Sequence, residues 1–256
     1  MAGALQLVNL TKTFGSKRAV DAINLDIPQG MLYAFLGPNG AGKSTTLKMV
    51  AGLLKPDAGD ALILGHSIQN DPKAAKQQLA YSPDTPLLYG KLSPLEYLEF
   101  VDGLWGVPPA RAQTLGRDLL KRLSLWEVRQ DLCETFSLGM RQKLALAGAL
   151  IHDPQLIILD EPLSGLDVGA ARLIKDMLLD YVADGRTVIL TTHTMEIAER
   201  LAQRIGIISH GRIIAEGTLQ ELQTQSGDLG GTLESVFLEL VENQKQDEAQ
   251  SQIQEV

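Results

Sequence analysis

The stretch Gly37-Pro38-Asn39-Gly40-Ala41-Gly42-Lys43-Ser44-Thr45 decides the fold. It reads glycine, four residues, then Gly-Lys-Ser, the spacing with which a loop turns its backbone N–H groups inward around a polyphosphate. Gly40 and Gly42 permit close backbone approach, and the helix that follows brings its positive dipole end to the same point. Lys43 supplies a point charge for the β- and γ-phosphates and Ser44 a hydroxyl ligand for Mg²⁺. A glycine-rich turn with no ligand is the alternative, and the flanks oppose it: residues 31–36 (MLYAFL) read as an apolar strand and residues 46–50 (TLKMV) as a helix. The chain is expected to bind a nucleoside triphosphate.

Downstream, Leu156-Ile157-Ile158-Leu159 is a continuous apolar run of the kind found in central parallel strands. It ends on Asp160-Glu161, where such a sheet presents its ligands. Asp160 is expected to hold Mg²⁺, directly or through water, which leaves Glu161 free to accept a proton from an attacking water. Two adjacent acids alone are as often a solvated turn; the phosphate loop upstream gives this pair its chemical meaning.

Around these motifs the pattern is α/β. Residues 5–10 and 23–27 alternate, with Gly15 and Pro28-Gln29-Gly30 between and after them, and predict an N-terminal antiparallel β region. A strand at 61–64 is stopped by Gly65. From 84 to 151 only helical patterns occur. Ser93-Pro94-Leu95-Glu96 has the form of a capped helix start, with Leu95, Leu98, Val101, Leu104 and Trp105 expected on its inner face. Leu115, Leu119, Leu120 and Leu123 mark a second helix, and residues 138–150 a third. Strands at 187–190, 205–208 and 212–214 and helices around 173–181 and 197–201 complete the pattern. One domain over 1–240 is predicted, with a core of about 1–83 and 152–240 and an inserted helical subdomain of about 84–151. The polar residues 241–256 are expected to form a flexible tail.

Composition narrows the function classes. The net charge of −8 and a pI near 5.0 oppose an open nucleic-acid surface, so no nucleic-acid partner is expected. A lone Cys133 excludes an internal disulfide and suits a reducing compartment. The N-terminal residues lack the pattern of a signal peptide, and no apolar run approaches the roughly 20 residues that span a bilayer. The expectation is a cytoplasmic protein that reaches a membrane through a partner.

Taken together, these motifs resemble the ATP-binding subunit of an ABC transporter over residues 5–240. The resemblance implies a P-loop NTPase core of ABC ATPase type and ATP with Mg²⁺ as cofactors. It also carries roles onto further residues. Phe14 stands where the family stacks an aromatic on adenine, and Ser164-Gly165-Leu166-Asp167 where it places a dimer-contact loop. His193 matches the histidine that contacts the γ-phosphate. The family signature Leu-Ser-Gly-Gly-Gln reads Phe136-Ser137-Leu138-Gly139-Met140 here, retaining Ser137 and Gly139, which would meet ATP bound to the opposite subunit of a homodimer or heterodimer. Asp84 stands where relatives carry a glutamine that bridges metal and water.

The 137–142 stretch and residues 232–240 resemble exporter ATPases that work with a separate integral membrane permease, which would hold this chain on the cytoplasmic face of the membrane. An importer ATPase is the near alternative. A soluble ABC ATPase of chromosomes or ribosomes is the distant one, since neither long heptads nor a second phosphate loop is present.

Overall fold

The computed structural model describes residues 3–254, with side chains through residue 244. The alternating N-terminal residues form β1 (Leu5–Phe14) and β2 (Lys17–Ile27), an antiparallel hairpin that turns at Gly15 and places Phe14 opposite Lys17. β3 (Leu32–Leu36) runs into the phosphate loop, from which α1 (Lys43–Val50) starts. β4 (Ala58–Ile63) returns along β1, and β5 (His66–Ser67) completes a four-stranded sheet in the order β2-β1-β4-β5. A short helix, α2 (Pro72–Gln77), leads to β6 (Leu79–Ser82).

Between β6 and the next strand the regular elements are all helical: α3 (Pro94–Trp105), α4 (Pro109–Arg122), a 3₁₀ turn at Cys133–Thr135 and α5 (Leu138–Leu150). The chain then alternates through β7 (Leu156–Asp160), α6 (Val168–Ala183), β8 (Thr187–Thr191), α7 (Met195–Leu201) and β9 (Arg204–Ser209). β10 (Arg212–Gly217), α8 (Leu219–Ser226) and α9 (Leu233–Gln254) follow. The second sheet has the order β10-β9-β3-β8-β7-β6 and is parallel except for β10.

β3, β7 and β8 are buried along their whole length because both faces of the sheet are covered, which is why they read as unbroken apolar runs. Leu32, Ala34, Leu36, Ile157, Leu159 and Leu190 face a core shared with α5, α6 and α9. Tyr33, Phe35, Ile158 and Ile189 face the other way, onto a core shared with α1 and the antiparallel sheet. Parallel pairing gathers the strand ends at one edge: Ser82 lies opposite Leu159, Asp160 opposite Thr191, and Thr191 opposite Phe35. The phosphate loop leaves the same edge. The mixed α/β fold read from the sequence is the fold observed.

One expectation is corrected. The capping box at Ser93 and Glu96 is present, but α3 buries Tyr97, Leu98 and Asp102. Of the predicted inner face, Leu98 is buried and Val101 half-buried, whereas Leu95 and Trp105 are exposed and Leu104 is 71% exposed. Gly148 of α5 explains the rotation, since it leaves space that the Tyr97 ring takes; a Cβ there would stand 2.7 Å from the Tyr97 hydroxyl. α9 continues through the polar residues as far as Gln254, and residues 255–256 lie outside the described residues. Leu233, Val236, Phe237 and Val241 bury the first turns of α9, and the Glu, Gln, Lys and Ala residues beyond them favour continuing the helix.

Asp102 is the unexpected member of that buried face. It is 5% exposed, and its Oδ1 has no hydrogen-bond partner. Burial, with a smaller push from the Glu99 carboxylate, raises its carboxyl to about 6. Glu99 on α3 and Arg117 on α4 are the other charged groups of the groove it faces. A carboxyl raised in the folded state contributes stability below its unfolded value near 4 and loses it as pH rises through about 6. Asp102→Asn should therefore be more stable than the native chain at pH 8, by about 1 kcal/mol once solvent screening is allowed for. That is about 2–4 °C in melting temperature, and the gain should vanish near pH 4. Melting curves across that pH range test it, and a loss of stability at pH 8 would contradict it.

Candidate functional site

The phosphate loop is shaped from behind. Gly42 has φ +113°, and a Cβ on it would come within 2.5 Å of the Ala19 carbonyl oxygen; a Cβ on Gly37 would overlap the Ile208 carbonyl. The β9–β10 turn closes that rear wall: the Gly211 N–H donates to the Ala41 carbonyl (2.8 Å), and the Asp21 N–H donates to the Gly211 carbonyl (2.9 Å). Arg212 clamps the Asp21 carboxylate at 2.6–2.7 Å and Arg18 reaches it at 2.8 Å. Arg212 foremost, with help from Arg18 and against burial, holds that carboxyl below the usual range.

α1 begins at Lys43 with no side-chain cap, so its leading amides are available to an anion. Lys43 Nζ donates to the Gly37 (2.5 Å) and Pro38 (3.2 Å) carbonyls. Burial pushes its ammonium below the usual lysine range, opposed by the carboxylates of Glu161 and Asp160.

Those carboxylates stand at the end of β7. Thr191 on the neighbouring strand donates its hydroxyl to Asp160 Oδ1 (2.5 Å). The Glu161 N–H in turn donates to Thr191 Oγ1 (3.1 Å) and to the Thr191 carbonyl (3.3 Å). This junction holds Glu161 at φ +50°, a left-handed backbone that costs a non-glycine residue of order 1 kcal/mol. Its carboxylate meets the His193 ring, Oε2 to Nδ1 at 2.9 Å, and the His193 side chain is 67% exposed.

A cleft of about 410 Å³ gathers most of the predicted residues: Phe14, the stretch 39–45, Asp84, Asp160 and Glu161. Phe14, half exposed at the end of β1, lies 5.7 Å from the Lys12 ammonium across its ring. Asp84 accepts from the Thr85 N–H (2.8 Å) on the loop after β6. Gly37 and Pro38 join through their carbonyls, which accept from Lys43, and His193 joins through Glu161. Ser137 and Gly139 stand apart, at the start of α5, where Ser137 Oγ accepts from the Met140 N–H (3.3 Å) as a helix N-cap. They adjoin the 164–167 loop: Gln142 donates to the Ser164 carbonyl (3.2 Å), a Cβ on Gly139 would lie 3.3 Å from Leu166, and Asp167 caps α6. Lys17 and Ala19 also line the cleft and were not foreseen; only the hairpin register, which pairs Lys17 with Phe14, brings them there.

The arrangement suits a magnesium nucleotide. The glycine cradle, the uncapped helix start and Lys43 fit a polyphosphate, and Ser44 with the second oxygen of Asp160 offers hard oxygen ligands to a cation. Comparison with known proteins agrees, since the family model described as ABC transporter matches residues 20–164. The chain belongs to the ABC transporter family. Among ABC relatives, the daunorubicin/doxorubicin resistance ATP-binding protein DrrA of Streptomyces peucetius is 38% identical over 88% of this chain and 68% of its own length. Longer relatives are matched over as little as 10% of theirs. A solved ATP-binding subunit of an ABC transporter superposes with a TM-score of 0.88 at 32% identity, over 93% of this chain and 99% of that one. The ATP-binding cassette MJ0796, solved as a dimer in a post-hydrolysis state with ADP and Pi, superposes with a TM-score of 0.76 at 26% identity, over 84% and 98%. The chain is thus an ATP-binding, ATP-hydrolysing ABC subunit.

The rear wall sets a stability order within the loop. Gly40 has φ +78° with open space around its Cβ position, so Gly40→Ala should cost about 1 kcal/mol. Gly42→Ala adds the overlap with Ala19 and should cost about 2–3 kcal/mol, roughly 4–12 °C in melting temperature. Equal melting temperatures for the two variants would show that the rear wall does not constrain the loop.

Proposed function

We propose that this subunit powers export across a membrane through a separate integral permease, working as a homodimer or heterodimer of ATPase chains at the cytoplasmic face. The observation that carries the reading is the junction at Thr191, which puts Asp160 and Glu161 on one cleft with the phosphate loop. The relative DrrA is named for drug resistance, which supports export, and the dimeric MJ0796 cassette supports pairing of ATPase chains.

In this reading Phe14 stacks on the adenine, and residues 37–45 hold the phosphates with Lys43 as their fixed charge. Ser44 and Asp160 hold Mg²⁺, with Asp84 near it; when bound, the ion supplies charge neutralisation on the phosphate oxygens. Glu161 takes the proton of the attacking water as general base, and His193, paired with it, steadies the carboxylate and contacts the γ-phosphate. Ser137 and Gly139 complete the site of the opposite chain with a hydroxyl and the amides of a helix N-terminus. Each γ-phosphate then gains contacts from both chains only in the closed dimer, so hydrolysis shifts the population towards separation.

The permease contact falls to the segment after β6. Leu87 is 81% exposed, Tyr89 packs edge-on to Phe100 at 5.1 Å, and Leu104 and Trp105 also lie open, an apolar surface that favours a partner. No helix of the described residues is long and apolar enough to cross a membrane.

Lys43→Ala should weaken ATP binding at least tenfold in equilibrium titration. Glu161→Gln should bind ATP as tightly as the native chain while turnover falls by about 100-fold or more. Near-normal turnover of Glu161→Gln in the purified complex would remove that residue from the general-base role. With Mg²⁺ and ATP, the solution mass of Glu161→Gln should move from monomer to dimer. Replacing Ser137 with alanine in that background should weaken the dimer, and an unchanged mass distribution would exclude Ser137 from the shared site.

A further inference from the structure

A cavity of about 670 Å³ lies between α3 and α4, and none of the residues lining it lines the nucleotide cleft. Its walls are largely apolar, from Leu95 and Leu98 on α3 to Val107 and Pro109 at the head of α4. Two carboxylates one helical turn apart, Glu99 and Asp102, break that surface. Asp102 is 95% removed from solvent by the exposure given above, and Oδ1 is fully buried without a donor. A carboxylate so buried without a donor is costly, and a ligand that brings an N–H to the part of it that lines the cavity would relieve the cost.

The protein's own cations are turned elsewhere. Arg117, the one basic residue on the cavity wall, has its guanidinium 5.6 Å from the Trp126 ring centroid, and Lys121 and Arg129 also gather over that ring, at 5.7 and 4.3 Å. No group of three or more His, Cys, Asp or Glu suited to a metal ion occurs among the described residues, so the pair does not make a metal centre. The volume is that of a small-molecule site, in which apolar walls bury the ligand body and a few polar groups orient it.

We propose that the α3–α4 cavity binds a small organic ammonium compound, its apolar body against Leu95, Leu98 and Val107 and its charged nitrogen on the carboxylates of Asp102 and Glu99. The charge-assisted hydrogen bond to Asp102 fixes the orientation, and Glu99 nearer the mouth adds attraction. A neutral molecule of the same shape leaves Asp102 unpartnered and gains only the apolar contact.

The test uses the full chain at pH 7.5 with 2-phenylethylamine as probe and 2-phenylethanol as its neutral isostere, in calorimetry and saturation-transfer NMR. The amine is expected to bind with a dissociation constant on the order of 0.1–1 mM, a fragment-sized affinity. The alcohol should bind at least tenfold more weakly. Asp102→Asn, which is expected to fold at least as stably as the native chain, should weaken amine binding at least tenfold, and Glu99→Gln two- to fivefold. Absence of amine binding up to 10-fold above the upper expected constant would overturn the proposal. So would equal binding of amine and alcohol, or an amine affinity unchanged in Asp102→Asn.

Discussion

The structure depends on how closely the phosphate loop is pressed against the turn between β9 and β10. Gly37 sits on the Ile208 carbonyl and Gly42 on Ala19 with no room for a side chain, while Gly211 hydrogen-bonds to Ala41 and accepts from Asp21. Three separate parts of the chain, the β1–β2 hairpin, the loop and the β9–β10 turn, therefore share one contact. The ion pairs from Arg212 and Arg18 to Asp21 tie the same parts together from outside. Since β9 neighbours β3, which enters the loop, sheet and cradle are tied together. A cradle that must present backbone amides needs such support, because amides held in place cost no reorganisation when an anion arrives.

The second consequence of the parallel sheet is chemical. β7 and β8 end in register, so Thr191 lies beside Asp160 and can hold both that carboxylate and the backbone of Glu161. With Glu161 in a left-handed conformation, its side chain turns off the strand line towards His193. Backbone strain at this residue is maintained by the hydrogen bonds around it, the pattern expected where a surrounding structure over-determines a local geometry.

Much of this was legible in the sequence, for identifiable reasons. The strand before residues 37–45, the helix after them and the strand at 156–160 match the sequence reading, because a strand–loop–helix unit of this spacing and a buried parallel strand each have a distinctive pattern. The capping box at Ser93 and Glu96 is local and so is visible locally. The buried face of α3 was misread because the long apolar side chains Leu95, Leu104 and Trp105 suggest a core, whereas the inner face is set by a tertiary fit between Tyr97 and Gly148. Lys17 escaped notice because nothing but hairpin register carries it to the cleft, and the Thr191 contact required knowing that β8 lies next to β7. Ser137 illustrates the remaining limit. Within one chain it is a helix N-cap with a long hydrogen bond to Met140, and its further role rests on family resemblance and a second chain.

Charge at the cleft gives the reason that well-placed amides matter to a polyphosphate. The lining includes three carboxylates, Asp84, Asp160 and Glu161, against two ammonium groups, Lys17 and Lys43. A polyphosphate entering such a cleft meets formal charge that does not favour it, and burial already weakens the charged form of Lys43. Attraction must then come from the amides of the loop and the start of α1, and a cation entering with the phosphates would add to it. No group of three or more acidic, cysteine or histidine side chains suited to a metal occurs among the described residues, so a cation at Ser44 and Asp160 would depend on further ligands from the nucleotide and water. Such a site would hold a metal more weakly once the phosphates had left. In the proposed dimer, loss of the γ-phosphate would remove both its share of the metal coordination and the contact from the opposite chain, so the two losses would reinforce each other in opening the pair.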